Sequence, residues 1–205
     1  MKLILASASP RRADLLRQVG IPFSVVKPDL TEYLEVNLSP EELVTSLALK
    51  KALIVSDCIS EGFVLAADTI VVHRGAVLGK PTDRKDARWM LRLLSGREHE
   101  VLTGLTLIDA SSGKCESGIC ATKVWMKPLH EKEINAYVST GEPLDKAGAY
   151  AIQGRAALLI ERIEGCYFNV VGLPLGLLYE LLKRMQLPIW LNGKDSDYAK
   201  GFDYD

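Results

Sequence analysis

The sequence lacks most of the features that place a protein quickly. Its 205 residues hold four cysteines, Cys58, Cys115, Cys120 and Cys166, at irregular spacings and without a C-x-x-C. That spacing indicates neither a zinc site nor a disulfide framework. The three histidines, His73, His99 and His130, stand apart, and His130-Glu131 lacks the second histidine of a zinc-protease helix. No stretch approaches the ~20 apolar residues that span a bilayer. Lys2-Leu3-Ile4-Leu5 begins like a leader, but Arg11 and Arg12 interrupt it, so no secretory signal is expected and a cytoplasmic location is. The net charge of −1 gives no general pull toward nucleic acid or membrane. A phosphate site would need a local cluster of basic residues. No G-x-G-x-x-G opens a helix and no Gly-Lys-Ser/Thr occurs, so neither a Rossmann nor a P-loop enzyme is supported.

What is present fits one domain, with room for two lobes. Hydrophobic residues make up 48% and charged residues 25% of the chain, ordinary for a globular protein. Lys2 to Ala6 reads as a buried strand. A helix follows at once, with Ser9 as N-cap, Pro10 at its first position and Gly20 as its stop. Phe23 to Val26 is a second strand, Pro28 to Ser39 a polar loop, and Pro40 to Ser56 a helix with Leu43, Leu47 and Ile54 toward the core. Phe63 to His73 is a valine- and isoleucine-rich strand that turns at Arg74-Gly75 and returns over Ala76 to Gly79. Asp83 caps a helix ended by Gly96. Strands from about Glu98 to Asp109 and Cys115 to Lys127 flank a hairpin loop. Glu131 to Ser139 is a short helix, Ala156 to Ile163 a strand, and Leu175 to Met185 the last helix. Early β-α units followed by a hairpin predict an α/β fold with a mixed central sheet. The domain is expected over residues 1–185, with a polar, loosely held tail over 186–205.

Four segments carry chemistry. In Ser7-Ala8-Ser9-Pro10-Arg11-Arg12 a strand meets a helix almost without a loop. The first turn of a helix offers N–H groups and positive potential, which suit phosphate. Arg11 and Arg12 oppose that dipole. A bound polyanion resolves the conflict; solvated surface arginines are the plainer alternative. Asp68 interrupts an apolar strand, where an ionised carboxylate is costly without a partner. It is a candidate metal ligand, general base or partner of a lysine, or a structural aspartate on backbone amides. Lys80, between Gly79 and Pro81, is a rigidly presented lysine that suits phosphate, or an ordinary loop lysine. The stretch Asp145 to Gly154 joins small residues, a charged pair and Gln153, whose amide both donates and accepts, as reading a nucleobase requires.

These segments, with Leu94-Ser95-Gly96 and Asn169-Val170-Val171-Gly172-Leu173-Pro174, occur in an order that resembles the Maf-like nucleoside triphosphate pyrophosphatases across roughly residues 2 to 183. The resemblance implies hydrolysis between the α- and β-phosphates to a nucleoside monophosphate and pyrophosphate. It implies a divalent metal, magnesium or manganese, and a two-lobed α/β fold with a cleft in a homodimer. Asp68 is then the proton acceptor. Ser7, Arg11, Arg12, Lys51 and Lys80 hold phosphates, and Glu32 joins Asp68 at the metal; Lys51 and Glu32 rest on the resemblance alone. Thr69 and Gln153, with Arg11, resemble the base-reading positions of the branch acting on dTTP and UTP, with modified pyrimidine nucleotides in the same class. The 7-methyl-GTP branch carries Asp-Gln and a glutamate at these two places, as a positively charged methylated guanine would favour. A nucleotide-binding regulator of cell division and septum formation without turnover is the other alternative. The sequence departs from many relatives at Ala66 and Cys166, and its residues beyond Gln186 have no evident counterpart.

Overall fold

Four consecutive apolar residues form β1 (Leu3–Ala6), and all four are buried. Such an unbroken run belongs inside a sheet that is covered on both faces. The computed structural model places it there: β1 pairs in parallel with β2 (Phe23–Val26) on one side and β3 (Phe63–His73) on the other. The structure describes residues 2–29 and 38–188. Glu32 and most of the expected tail lie outside the described residues.

Helix α1 (Pro10–Gln18) links β1 to β2, and α2 (Pro40–Ser56) precedes β3. From β3 onward the pairing is antiparallel. A short return strand, β4 (Ala76–Leu78), lines the end of β3. β5 (Glu98–Asp109), β6 (Cys115–Met126) and β7 (Ile160–Glu164) complete the order β2-β1-β3-β5-β6-β7. The sheet is therefore mixed. Helices α3 (Arg84–Leu94), α4 (Glu131–Ser139), α5 (Tyr167–Val171) and α6 (Leu175–Arg184) pack around it.

Strand alternation divides the core. On one face Leu65 and Ala67 pack with residues of α1 and α6, while Val71 packs with α3 and α4. On the opposite face Val64 and Ala66 meet Ala52 and Val55 of α2, while Ile70 and Val72 meet Leu43, Val44 and Leu47. Thr69 interrupts the first row and Asp68 the second. The polar pair thus falls between the core clusters, once on each face of the sheet.

Several elements depart from what the sequence predicts. Ile54 is only half-buried; Val44, Leu47, Ala48, Ala52 and Val55 carry the buried stripe of α2, whose helical spacing leaves Ile54 off the face. The strand expected over Ala156 to Ile163 begins only at Ile160, because Arg155–Leu159 curls into a 3-10 turn. There the N–H groups of Arg155 and Ala156 donate to the Glu142 carboxylate, at 3.3 and 3.4 Å, instead of to a neighbouring strand. Helix α5 falls on the Asn169-Val170-Val171 stretch, for which the sequence predicts no element. It is one short turn of chain whose end at Gly172 has φ of 117°, a conformation glycine tolerates.

Candidate active site

Asp68 is the centre of the site. It sits in β3 with 8% of its surface exposed, and its side chain faces α2. Lys51 of α2 reaches it, with Nζ donating to Oδ1 at 2.5 Å. Lys51 lies within the buried stripe of α2, between Ala48 and Ala52, so the helix that covers the sheet also delivers the ammonium. The approach depends on Gly104, which stands opposite Asp68 in β5. A Cβ there would lie 2.5 Å from the carbonyl oxygen of Val44. With no side chain at 104, α2 settles directly onto the strand.

The other face is built around Arg12. Its Nε donates to the carbonyl of Gly172 at 2.8 Å, and Nη1 to the carbonyl of Ala67 at 2.8 Å and to Ser7 Oγ at 3.2 Å. Nη2 donates to Thr69 Oγ1 at 3.0 Å. Arg12 therefore ties the β1–α1 junction to β3 and to the end of α5. Ser9 stands at the N-cap position of α1, but its side chain makes no capping bond and the first turn has no acidic residue. Its own N–H donates to Ser7 Oγ at 3.1 Å. The helix start presents backbone N–H groups and positive potential toward the same space.

The rim carries the remaining residues. Arg11 Nη1 lies 3.8 Å from Asp145 Oδ2, and Lys146 Nζ donates to Asp145 Oδ1 at 2.6 Å. Partial burial pushes the Asp145 carboxyl up, but the bond from Lys146 and the charges of Lys146 and Arg11 outweigh it and hold it below the usual carboxylate value. Lys80 and Gln153 are exposed at the cleft. The Gly79 carbonyl accepts the Gly148 N–H at 3.0 Å, fixing the base of the Lys80 loop. Gly148 has φ of 66°, and a Cβ there would meet Val71 at 2.9 Å. Tyr150 lines the cleft, and its hydroxyl lies 2.7 Å from Nε2 of the buried His99. Burial, and then the charge of His73, pushes the His99 imidazole down to about 4. Burial pushes the Tyr150 phenol up, so this pair is neutral near neutral pH.

Ser7, Arg11, Arg12, Lys51, Asp68, Thr69, Lys80 and Gln153, drawn from five separate stretches of sequence, thus line one cleft of about 470 Å³. Arg11, Arg12, Lys27, Lys51, Lys80 and Lys146 supply positive charge against the carboxylates of Asp68 and Asp145. This is the local basic cluster that a chain of net charge −1 needs to hold a polyphosphate. The profile of the Maf-like proteins matches residues 2–185. The chain belongs to the Maf-like protein family. It is 53% identical over 192 residues to the dTTP/UTP pyrophosphatase of Symbiobacterium thermophilum, covering 94% of this chain and 98% of that protein. It is 49% identical over 183 residues to the dTTP/UTP pyrophosphatase of Carboxydothermus hydrogenoformans, covering 89% and 98%. A HAM1 protein from Coxiella burnetii shares the fold, with a TM-score of 0.52 at 13% identity over 90% of this chain and 99% of that one.

Within this Maf-like cleft several lining residues carried no signal in the sequence. Lys27 follows an exposed strand, and Leu47 and Val77 are ordinary apolar residues of their elements. Lys51 did leave a trace, since a lysine interrupts the apolar stripe of α2. A divalent cation can be tested against the donors present. Among the described residues no three His, Cys, Asp or Glu side chains converge on a metal-sized space. Hard cations that work on phosphates need only one or two carboxylates, with phosphate oxygens and water completing the shell. Asp68, in the depth of the cleft, fits that requirement.

Proposed function

We propose that this protein hydrolyses dTTP and UTP between the α- and β-phosphates, releasing the nucleoside monophosphate and pyrophosphate. The observation that carries the reading is Asp68, a carboxylate held by Lys51 at the floor of a basic cleft. The two relatives named dTTP/UTP pyrophosphatases, about half identical over most of their length, support the substrate assignment.

The residues divide the work by position. Arg11, Lys80 and the N-terminus of α1 bind the phosphates, with Ser7 and the charge of Arg12 behind them. Asp68 orients a water and takes its proton as the water oxygen bonds to phosphorus and the bridging P–O bond breaks. Lys51 fixes the carboxylate and adds positive charge where negative charge develops. Asp68 and substrate oxygens, with Glu32 from its place in the sequence, would hold a divalent magnesium or manganese ion. That ion supplies charge neutralisation on the phosphates. Gln153, Arg11 and Thr69 read the base. The resemblance extends the reading to a cytoplasmic homodimer acting on free nucleotides, and light scattering on the purified protein gives its mass.

The test is a panel of nucleoside triphosphates with magnesium or manganese, reading pyrophosphate. Turnover of dTTP and UTP is expected, and its absence rules the function out. Asp68→Asn is expected to lower kcat by about 1,000-fold while nucleotide binding persists. Undiminished turnover in that variant rules out Asp68 as the base.

A further inference from the structure

The hydroxyls behind Thr69 form a row whose direction can be counted. Thr69 and Thr103 stand opposite each other in β3 and β5, with Oγ1 atoms 2.9 Å apart. Thr103 Oγ1 also lies 3.2 Å from the backbone carbonyl of Asn169. A carbonyl only accepts, so Thr103 donates its single hydrogen there. The hydrogen between the two threonines must then come from Thr69. Arg12 Nη2 donates to the same Thr69 oxygen. Thr69 is left with no hydrogen for the cleft, only a lone pair.

The far end of the row is pinned. Asn169 is fully buried, and its Nδ2 donates to the Val101 carbonyl and to Thr122 Oγ1, both at 2.9 Å. Thr122 gives its own hydrogen to the Cys166 carbonyl at 3.2 Å, so it can only accept from Asn169. Every hydrogen in the row has one place to go. Thr103 and Asn169 do not line the cleft, yet they set the polarity of the group that does.

An oxygen that only accepts is unfavourable beside phosphate oxygens and suited to a nucleobase N–H. At the N3 edge uracil and thymine present N3–H, whereas cytosine presents an unprotonated N3 and keeps its N–H donors on the exocyclic N4, so an acceptor meeting that edge separates them. Gln153 is exposed, and its amide can turn to serve either base, so it does not exclude cytosine by itself. We infer that Thr103 and Asn169 are positioning residues for base selection: they hold the Thr69 hydroxyl as a pure acceptor, which admits uracil and thymine and rejects cytosine. The inference rests on the pyrimidine triphosphate reading given above.

The experiment compares kcat/KM for UTP and CTP in the wild type, Thr103→Val and Thr103→Ser. Binding of the two α,β-methylene analogues is measured in parallel. Thr103→Val frees the Thr69 hydrogen to donate toward the cleft. The UTP-to-CTP ratio is expected to fall by about tenfold, the usual scale of one mismatched hydrogen bond. Thr103→Ser keeps the hydroxyl and the ratio. An equal loss for both nucleotides in Thr103→Val marks a merely structural residue and overturns the inference, as does an unchanged ratio. Should Thr103→Val not fold, Thr69→Val asks the same question, and persistence of the wild-type ratio in that variant also overturns it. If the wild type releases no pyrophosphate from UTP, the parent reading fails on that result alone, and the binding ratio still decides this one.

Discussion

Asp68 and Lys51 join the proposed chemistry to stability in a single pair. Both side chains are largely out of solvent, at 11% and 12% exposure, so the Asp68 carboxylate draws on the ammonium beside it. Lys51→Met keeps the apolar stem and removes the ammonium, leaving a buried carboxylate without this partner. Stability is expected to fall by about 3 kcal/mol, read from urea denaturation, and Asp68→Asn in the same chain should recover much of it. A Lys51→Met protein as stable as the wild type would refute the pairing. His99 makes a second prediction. Its folded value of about 4 lies below the ordinary 6.5, so the unfolded chain binds more protons between these limits. Its contribution is therefore fully present above pH 6.5 and is lost as pH falls toward 4, amounting to about 3 kcal/mol. Replacing it by His99→Gln should flatten the denaturation midpoint over that range; an unchanged acid slope would show that another group causes it.

At the scale of the element, α2 is the part that brings the site together. Its start is fixed by a reciprocal cap, in which the Ser39 hydroxyl accepts the Glu42 N–H and the Glu42 carboxylate accepts the Ser39 N–H. Its buried stripe sets its rotation, and Gly104 sets its distance from β5. Gly104→Ala would put a methyl 2.5 Å from one backbone atom of Val44 and 2.8 Å from another, and backbone cannot rotate away as a side chain can. The helix must lift, at about 2 kcal/mol, and Lys51 lifts with it. Reduced kcat together with reduced stability is the expected outcome, from steady-state kinetics and denaturation of one preparation. Wild-type kcat in a destabilised Gly104→Ala protein would separate the helix position from the chemistry. Helix α5 acts in the same way on the other face, since Gly172 and Asn169 offer their carbonyls to Arg12 and Thr103.

For the whole molecule, the cleft lies over the seam between two sets of core clusters, and it is lined both from α1 and from the loops that carry Lys80 and Asp145. A nucleotide that touches both ties them together and favours the folded state. With magnesium, an α,β-methylene analogue of UTP at about 100 times its Kd should stabilise the protein by about 2.7 kcal/mol. The rise in Tm should shrink as salt is added, because six basic side chains line the cleft and screening weakens their hold. A Tm that ignores the analogue would mean that the ligand does not bind the folded cleft.

Much of this was already legible along the chain. Local physics marked the strand β1, the helices begun by Pro10, Pro40 and Asp83, and the arginines set against a helix dipole. The apolar run around Asp68 marked it as a residue in need of a partner, and the order of the segments marked the family. Periodicity and capping act over a few residues, so a sequence can determine them by itself. It could not choose Lys51 as the partner of Asp68, seat Arg12 on four protein acceptors, or give the Thr69 hydroxyl a direction. Nor could it show that the Glu142 carboxylate would bend the chain ahead of β7. Those outcomes depend on which groups meet across the sheet, through contacts between residues up to 160 positions apart, and only the packed tertiary structure decides them.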